Sequence, residues 1–230
     1  KFDVVVYSKC NRVGYPAFTA INDITTTCLW FMDPLVSYDS EMKQKTCLVD
    51  YFCCDKTNVL KEAKQLNSNS YHVHEGFDNR NDYPHNIEKE KDVVFIGNVY
   101  GNRKHLISQI RTPVSVVTNA YGKQHGIEVS KSKINLNFCT GEGASDRVYK
   151  TLAAKGFLLT DDWHGRKDIF KNNEHLVVFK DIEDLNEKIE FYLANPAYAA
   201  KIAENGYAAV QNYTRKRWAE RIVELYDKIK

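Results

Sequence analysis

The sequence predicts an α/β protein built on doubly wound parallel sheets. Three observations point there. Short β-branched runs alternate with helical patterns almost to the end of the chain. Most of these runs are apolar throughout rather than alternating, as parallel strands covered on both faces are. The stretches between them begin with residues that cap helices.

Taken in order, strands are expected at residues 2–7, 26–31, 47–53 and 70–74, with a second series at 92–96, 114–118, 133–138, 156–160 and 176–179. Asn102, Ser145 and Asp181 are placed to cap helices over 103–110, 146–154 and 182–193, since a short polar side chain can accept from the N–H groups of a first turn. Asn195-Pro196 sets a capping side chain before a proline at a first helical position. Residues 214–230 read as an amphipathic helix with Trp218, Ile222, Leu225 and Tyr226 on one stripe. The polar run from Asp78 to Asn86 and the charged run Glu88-Lys89-Glu90-Lys91 show neither period. This divides the chain into a short or partial first unit over 1–77, a linker over 78–91 and a second domain over 92–230 closed by the final helix.

Composition bounds the function. The chain has 230 residues, 43% of them hydrophobic, which is enough for a proper core without staples. Its 32 basic and 30 acidic side chains leave a net charge of +2, too even for sequence-independent nucleic-acid binding. No apolar stretch approaches the roughly 20 residues of a membrane span. The basic cluster Arg215-Lys216-Arg217 on the last helix leaves peripheral membrane or partner contact as an expectation there. Six scattered cysteines without a CxxC pair read as buried reduced thiols, which implies a cytoplasmic setting.

Two loops carry the chemistry. The first runs from Asn137 through Gly141, Glu142, Gly143, Ala144, Ser145 and Arg147 to Lys150, between an apolar strand and a helix. Glycines let a phosphate approach the backbone, and a helix N-terminus supplies unpaired N–H groups and partial positive charge. Arg147, one turn in, would add a charge-assisted contact. The second loop, Gly97-Asn98-Val99-Tyr100-Gly101-Asn102-Arg103-Lys104, has the same setting and ends in two bases. Ligands of open parallel sheets bind outside the carboxyl ends of the strands, where both loops would lie. Elsewhere Asp33 ends a strand before Pro34, either as a base or as a turn-former. His72 and His74 alternate on a strand beside Glu75, without the further ligands that a metal requires. Asp161-Asp162 reads as a cap for the next turn, or as paired carboxylates for metal binding or acid/base work.

The run Glu142-Gly-Ala-Ser-Asp-Arg-Val-Tyr-Lys150-Thr-Leu-Ala-Ala-Lys-Gly156-Phe-Leu-Leu-Thr160 resembles the donor-binding segment of GT-B glycosyltransferases, and is most similar to the spore-maturation (CgeB-like) group. Tyr71-His-Val-His-Glu-Gly76-Phe77-Asp78 resembles the segment that ends the first domain of those enzymes. Asp92-Val-Val-Phe-Ile-Gly97-Asn98 resembles the opening strand of the second, and residues 176–196 resemble the family's tail. The resemblance implies two Rossmann-like domains and transfer of a sugar from a nucleotide-diphosphate donor, without a metal or other cofactor. It implies that Glu142 contacts the donor sugar, and that Gly141, Gly143, Ala144 and Ser145 form the diphosphate loop with Arg147. Gly97, Asn98 and Arg103 would complete the donor site, with Asp33 and His74 as acceptor-side candidates for a base. The family's second Glu, a ribose contact, is here Lys150, which cannot accept hydrogen bonds. That departure and the short first unit leave a second reading, a non-catalytic nucleotide or nucleotide-sugar binding module.

Overall fold

A computed structural model describes residues 2–139 and 143–230 of the chain. The chain forms two compact units, residues 1–75 with 216–230, and residues 76–215.

The first unit is a four-stranded, all-parallel sheet in the order β1-β2-β3-β4, formed by Val4–Ser8, Thr26–Phe31, Tyr51–Cys54 and Ser70–His72. Helices α1 (Tyr15–Asn22), α2 (Ser40–Leu48) and α3 (Thr57–Leu66) make the crossovers. Strand β2 shows why its residues are continuously apolar. Leu29 and Phe31 pack with Phe18, Met42 and Val59, whereas Cys28 and Trp30 pack with Tyr51, Ile222 and Leu225. Both faces are covered, and Thr27, the buried polar residue of the strand, is satisfied by bonds from its N–H and hydroxyl to Asp50 Oδ2. Cys47 and Leu48, expected to open a strand, instead end α2. Asp39 starts that helix by accepting from the Met42 N–H at 3.0 Å, and the polar run between carries it on to Leu48. Cys47 is exposed and the other five cysteines are buried, and none of the six is in a disulfide among the described residues.

The second unit is a five-stranded parallel sheet in the order β6-β5-β7-β8-β9, formed by Val114–Val117, Lys91–Ile96, Ser132–Asn137, Leu158–Asp161 and Val177–Phe179. Strand β5 therefore lies between β6 and β7, and the chain reverses its winding direction there. Helix α4 (Arg103–Ser108) and helix α7 (Ile182–Ala194) cover one face through Leu106, Ile107, Leu185 and Ile189. Helices α5 (Lys123–Ser130), α6 (Asp146–Ala153) and α8 (Pro196–Val210) bury Val129, Val148, Leu152 and Val210 in the clusters of the other face. Of the expected caps, Asp181 bonds the Asp184 N–H at 2.9 Å, but the side chains of Asn102, Ser145 and Asn195 make no capping bond.

Two boundaries differ from the expectation. Residues 78–91 are part of the second unit rather than a linker: the His85 N–H bonds Ser130 Oγ at 3.0 Å and the Glu90 N–H bonds the Lys131 carbonyl at 2.7 Å. The closing helix α9 (Arg215–Ile229) lies with the first unit rather than the second domain. The Phe77 N–H donates to Tyr213 and the Arg215 N–H donates to Phe77, so the second unit begins and ends side by side. The stripe that the sequence shows on α9 then seals the first sheet. Ile222 and Leu225 are buried against it, the ring of Trp218 stands edge-on to Trp30 at 5.6 Å, and Tyr51 donates to the Ile222 carbonyl. The stripe is thus used inside the fold, and Arg217 and Arg221 on the outer side pair with Glu220 and Glu224. No helix among the described residues is long and apolar enough to cross a membrane.

Leu225 is fully buried, so Leu225→Ala should destabilise the protein by about 2–5 kcal/mol, the usual range for a core truncation. Urea unfolding followed by tryptophan fluorescence will report the loss early, because Trp30 and Trp218 sit beside the deleted side chain.

Candidate functional site

The reversal in winding puts the loops after β5 and β7 side by side at the carboxyl edge of the second sheet, the ordinary ligand position in such folds. Two guanidinium groups meet there. Arg103, at the start of α4, is 8% exposed and donates from Nη1 to the Asn98 carbonyl at 3.2 Å and from Nη2 to the Phe138 carbonyl at 3.3 Å. Its plane lies 4.4 Å from the centre of the Tyr100 ring, and its buried Nε has no partner among the described residues. Arg147, in the first turn of α6, donates from Nη1 to Asn137 Oδ1 at 2.9 Å and lies 5.0 Å from the centre of the Phe95 ring. Among the described residues neither arginine forms a salt bridge with a carboxylate. Burial, then the repulsion of Arg103, pull the Arg147 pKa below its ordinary value.

Gly97 and Asn137 make this arrangement possible. Gly97 ends β5 with a φ of +143°, a conformation that L side chains rarely adopt, and a Cβ there would lie 3.3 Å from Arg147 Nη2. Asn137 is fully buried at the end of β7. Its Oδ1 accepts from Arg147 and from Ser145 Oγ at 3.2 Å, while its Nδ2 reaches Thr160 Oγ1 at 3.1 Å and Cys139 Sγ at 2.8 Å. One amide thereby ties the head of α6 to β7 and β8. Asp161 adds a second tie by accepting from the Cys139 N–H at 2.5 Å.

The predicted donor residues divide as follows. Gly97, Asn98, Arg103, Gly143, Ala144, Ser145 and Arg147 all lie on the two loops or the helix starts that follow them. Gly143 has a φ of +146° and Ala144 is buried. Gly141 and Glu142 lie outside the described residues. Lys150 does not point a free ammonium at this site, because its Nζ pairs with Asp146 Oδ2 at 2.5 Å one turn earlier. Asp162, read as a cap or an acid/base group, caps the Trp163 N–H and pairs with Arg166.

The acceptor-side candidates are in the first unit and belong to separate settings. Asp33 follows β2 and pairs with Lys9 Nζ at 2.9 Å on the wall of a cleft of about 540 Å³, which is otherwise lined by residues 6–13. His74 lies past β4 with its ring 4.5 Å from that of His72. His72 Nε2 meets the Asp55 carbonyl at 3.1 Å, and the buried Asp55 carboxylate pairs with Lys56.

The sequence places Asn137 at the start of the glycine-bearing loop but gives no sign of its part in holding Arg147, since β7 carries four polar residues in six. Nothing in the sequence singles out His125. It lies in the first turn of α5, 6% exposed, and among the described residues neither ring nitrogen has a hydrogen-bond partner. Burial first, then Lys150 and Arg147 against the opposing pull of Asp146, lower its pKa to about 4. Buried Asp82 lies in the same electrostatic neighbourhood of α6; its pKa is raised by burial against the lowering pull of Lys150 and Arg215.

These features lie at the carboxyl edge of a doubly wound sheet, and comparison places the fold. The structure is similar to that of HepE from Anabaena in complex with UDP-glucose, at 10% identity and a TM-score of 0.77, covering 98% of this chain and 79% of that one. It is similar also to sucrose-phosphate synthase from Thermosynechococcus elongatus (12% identity, TM-score 0.71, 99% of this chain and 74% of that one). A glycosyltransferase from Rickettsia africae matches at 14% identity and a TM-score of 0.70, over 99% of this chain and 76% of that one. The fold is GT-B. Sequence comparison with curated proteins gives no match. The family profile described as Glycosyl transferase-like matches residues 82–226, and the chain belongs to that family.

His125 gives a pH test. Its folded pKa lies below the ordinary 6.5, so the unfolded chain binds the extra proton as pH falls. The stability tied to its neutral ring is complete above pH 6.5 and is lost as pH drops towards 4, by up to about 3 kcal/mol. Between pH 7 and 4, His125→Phe should lose correspondingly less stability than the wild type in urea titrations.

Proposed function

We propose that the chain transfers a glycosyl group from a nucleoside-diphosphate sugar, with the donor diphosphate bound between Arg103 and Arg147 at the carboxyl ends of β5 and β7. The observation that carries this reading is the pair of guanidiniums, which have no carboxylate partner among the described residues. Burying like charges together is unfavourable unless an anion completes the site, and a diphosphate supplies that anion. Arg147 would turn from Asn137 to a phosphate oxygen, and Arg103 would use its unbonded Nε. Gly143, Ala144 and Ser145 precede α6, whose N-terminal N–H groups add partial positive charge.

The chemistry follows from the charge. As the bond between the sugar and the β-phosphate breaks, negative charge develops on the leaving diphosphate, and fixed guanidiniums stabilise it without reorganising. In this reading they supply the positive charge that a metal would supply elsewhere, so transfer is metal-independent. Glu142 is assigned to the donor sugar, and Asp33 and His74 to the acceptor side. UDP-sugars are the first donors to try, because HepE was solved with UDP-glucose. The stretch from Arg147 to Gly156 supports placing the chain near the spore-maturation group.

A thermal-shift panel of UDP-, GDP-, ADP- and TDP-sugars tests the site. A true donor at about 100 times its Kd adds roughly 2.7 kcal/mol of stability, and Arg103→Ala or Arg147→Ala should abolish the shift. Each variant should also slow donor turnover by about 10²–10³, as removal of a transition-state donor group does. Failure of every donor to stabilise the wild type would overturn the proposal, whereas a shift without any donor hydrolysis or transfer would favour the binding-module reading. Gly97→Ala should weaken donor binding through Arg147, and isothermal titration with the donor found will measure it.

A further inference from the structure

In the glycosyl transfer proposed above, on which this inference rests, the acceptor hydroxyl must lose a proton, and the first unit holds a histidine whose tautomer suits that task. His72 is the last residue of β4, at the carboxyl edge of the first sheet, where open parallel sheets bind ligands. Its Nε2 lies 3.1 Å from the Asp55 carbonyl oxygen. A carbonyl can only accept, so Nε2 carries the proton of the neutral ring and Nδ1 keeps its lone pair. Among the described residues Nδ1 has no hydrogen-bond partner and is not a buried atom, and the ring is part-exposed.

The surroundings hold the ring in that state. The Val73 N–H bonds the Cys54 carbonyl at 2.9 Å, so Asp55 is the first residue of its strand past the ladder, and its carbonyl is met by a side chain instead. The buried Asp55 carboxylate takes the Lys56 ammonium at 2.5 Å, and Glu75 lies 4.0 Å from the same ammonium. The His74 ring stands edge-on to His72 at 4.5 Å, so the imidazole is oriented from two sides. Burial raises the Asp55 pKa against the lowering pull of Lys56 and, more weakly, of His72. The attraction is mutual, so this carboxylate stabilises the ring once it gains a proton.

An oriented imidazole with an open lone pair and a carboxylate behind it is the arrangement of a general base. Asp33, two residues past β2 on the same edge, already has the Lys9 ammonium as its counter-ion at 2.9 Å. We infer that His72 is the general base of the transfer. As the acceptor oxygen forms its bond to the anomeric carbon, its proton passes to Nδ1. The bond from that carbon to the diphosphate breaks, and its electron pair leaves on the phosphate oxygen.

Turnover of UDP-glucose by the wild type and His72→Gln, in water and with added azide, tests this. Water must lose a proton when it attacks, and azide has none to lose. Glutamine can still donate an N–H to the Asp55 carbonyl but offers no basic nitrogen, so a purely structural role survives the change. Hydrolysis by His72→Gln should fall by about 10²–10⁴, the usual worth of a general base, while glucosyl azide forms within about twofold of the wild-type rate. The Kd of UDP should not change. His72→Ala, with hydrolysis restored by added imidazole, gives a second reading if His72→Gln does not fold. Full hydrolysis by a folded variant, or equal loss of the water and azide reactions, would overturn the inference and leave the donor site standing. If the wild type binds UDP-glucose without turning it over, the inference falls alone; if no nucleotide sugar binds, the donor-site reading falls with it.

Discussion

The contact between Arg147 and Asn137 is the constraint on which the site depends. Among the described residues no acid holds the guanidinium at the head of α6, and its direction is set by one amide oxygen and the face of Phe95. That amide is itself fixed, since Asn137 is fully buried and its nitrogen is bonded to Thr160 on the neighbouring strand. The loop geometry is thereby referred back to the rigid part of the sheet. The proposed phosphate site would need such rigidity, because preorganised charge stabilises a developing anion without moving.

The second arginine makes the arrangement unusual in energy. Arg103 and Arg147 repel each other while both are largely removed from water, and burial together with that repulsion lowers the Arg147 pKa. Carbonyl oxygens and aromatic faces offset part of this, through Asn98, Phe138, Tyr100 and Phe95. A salt bridge would offset more, but it would also occupy the groups that an anionic ligand needs. The remaining charges of α6 are arranged differently, with Lys150 neutralised by Asp146 within the helix.

Much of this was legible in the chain. Strands buried on both faces leave largely apolar runs, so β2 and β5 could be placed to within a residue or two. The two glycine-bearing loops announced themselves because they join such strands to helices and end in basic residues. What the sequence could not show depends on which elements become neighbours. The stripe on α9 says that the helix covers something apolar, but only the pairing of Phe77 with Tyr213 and Arg215 brings the chain back to the first unit. His125 looks like any polar residue on a short helix until the crossover sets α5 beside α6. Lys150 occupies a position where an acid was expected, and its partner one turn earlier became clear only from the ion pair.

A crystal structure of the protein with UDP tests the central claim most directly. The account predicts the diphosphate between the loops after β5 and β7, with phosphate oxygens at about 2.7–2.9 Å from the guanidinium nitrogens of both Arg103 and Arg147, the spacing of charge-assisted hydrogen bonds. UDP bound elsewhere, with Arg147 still on Asn137 and Arg103 still on the Phe138 carbonyl, would contradict it.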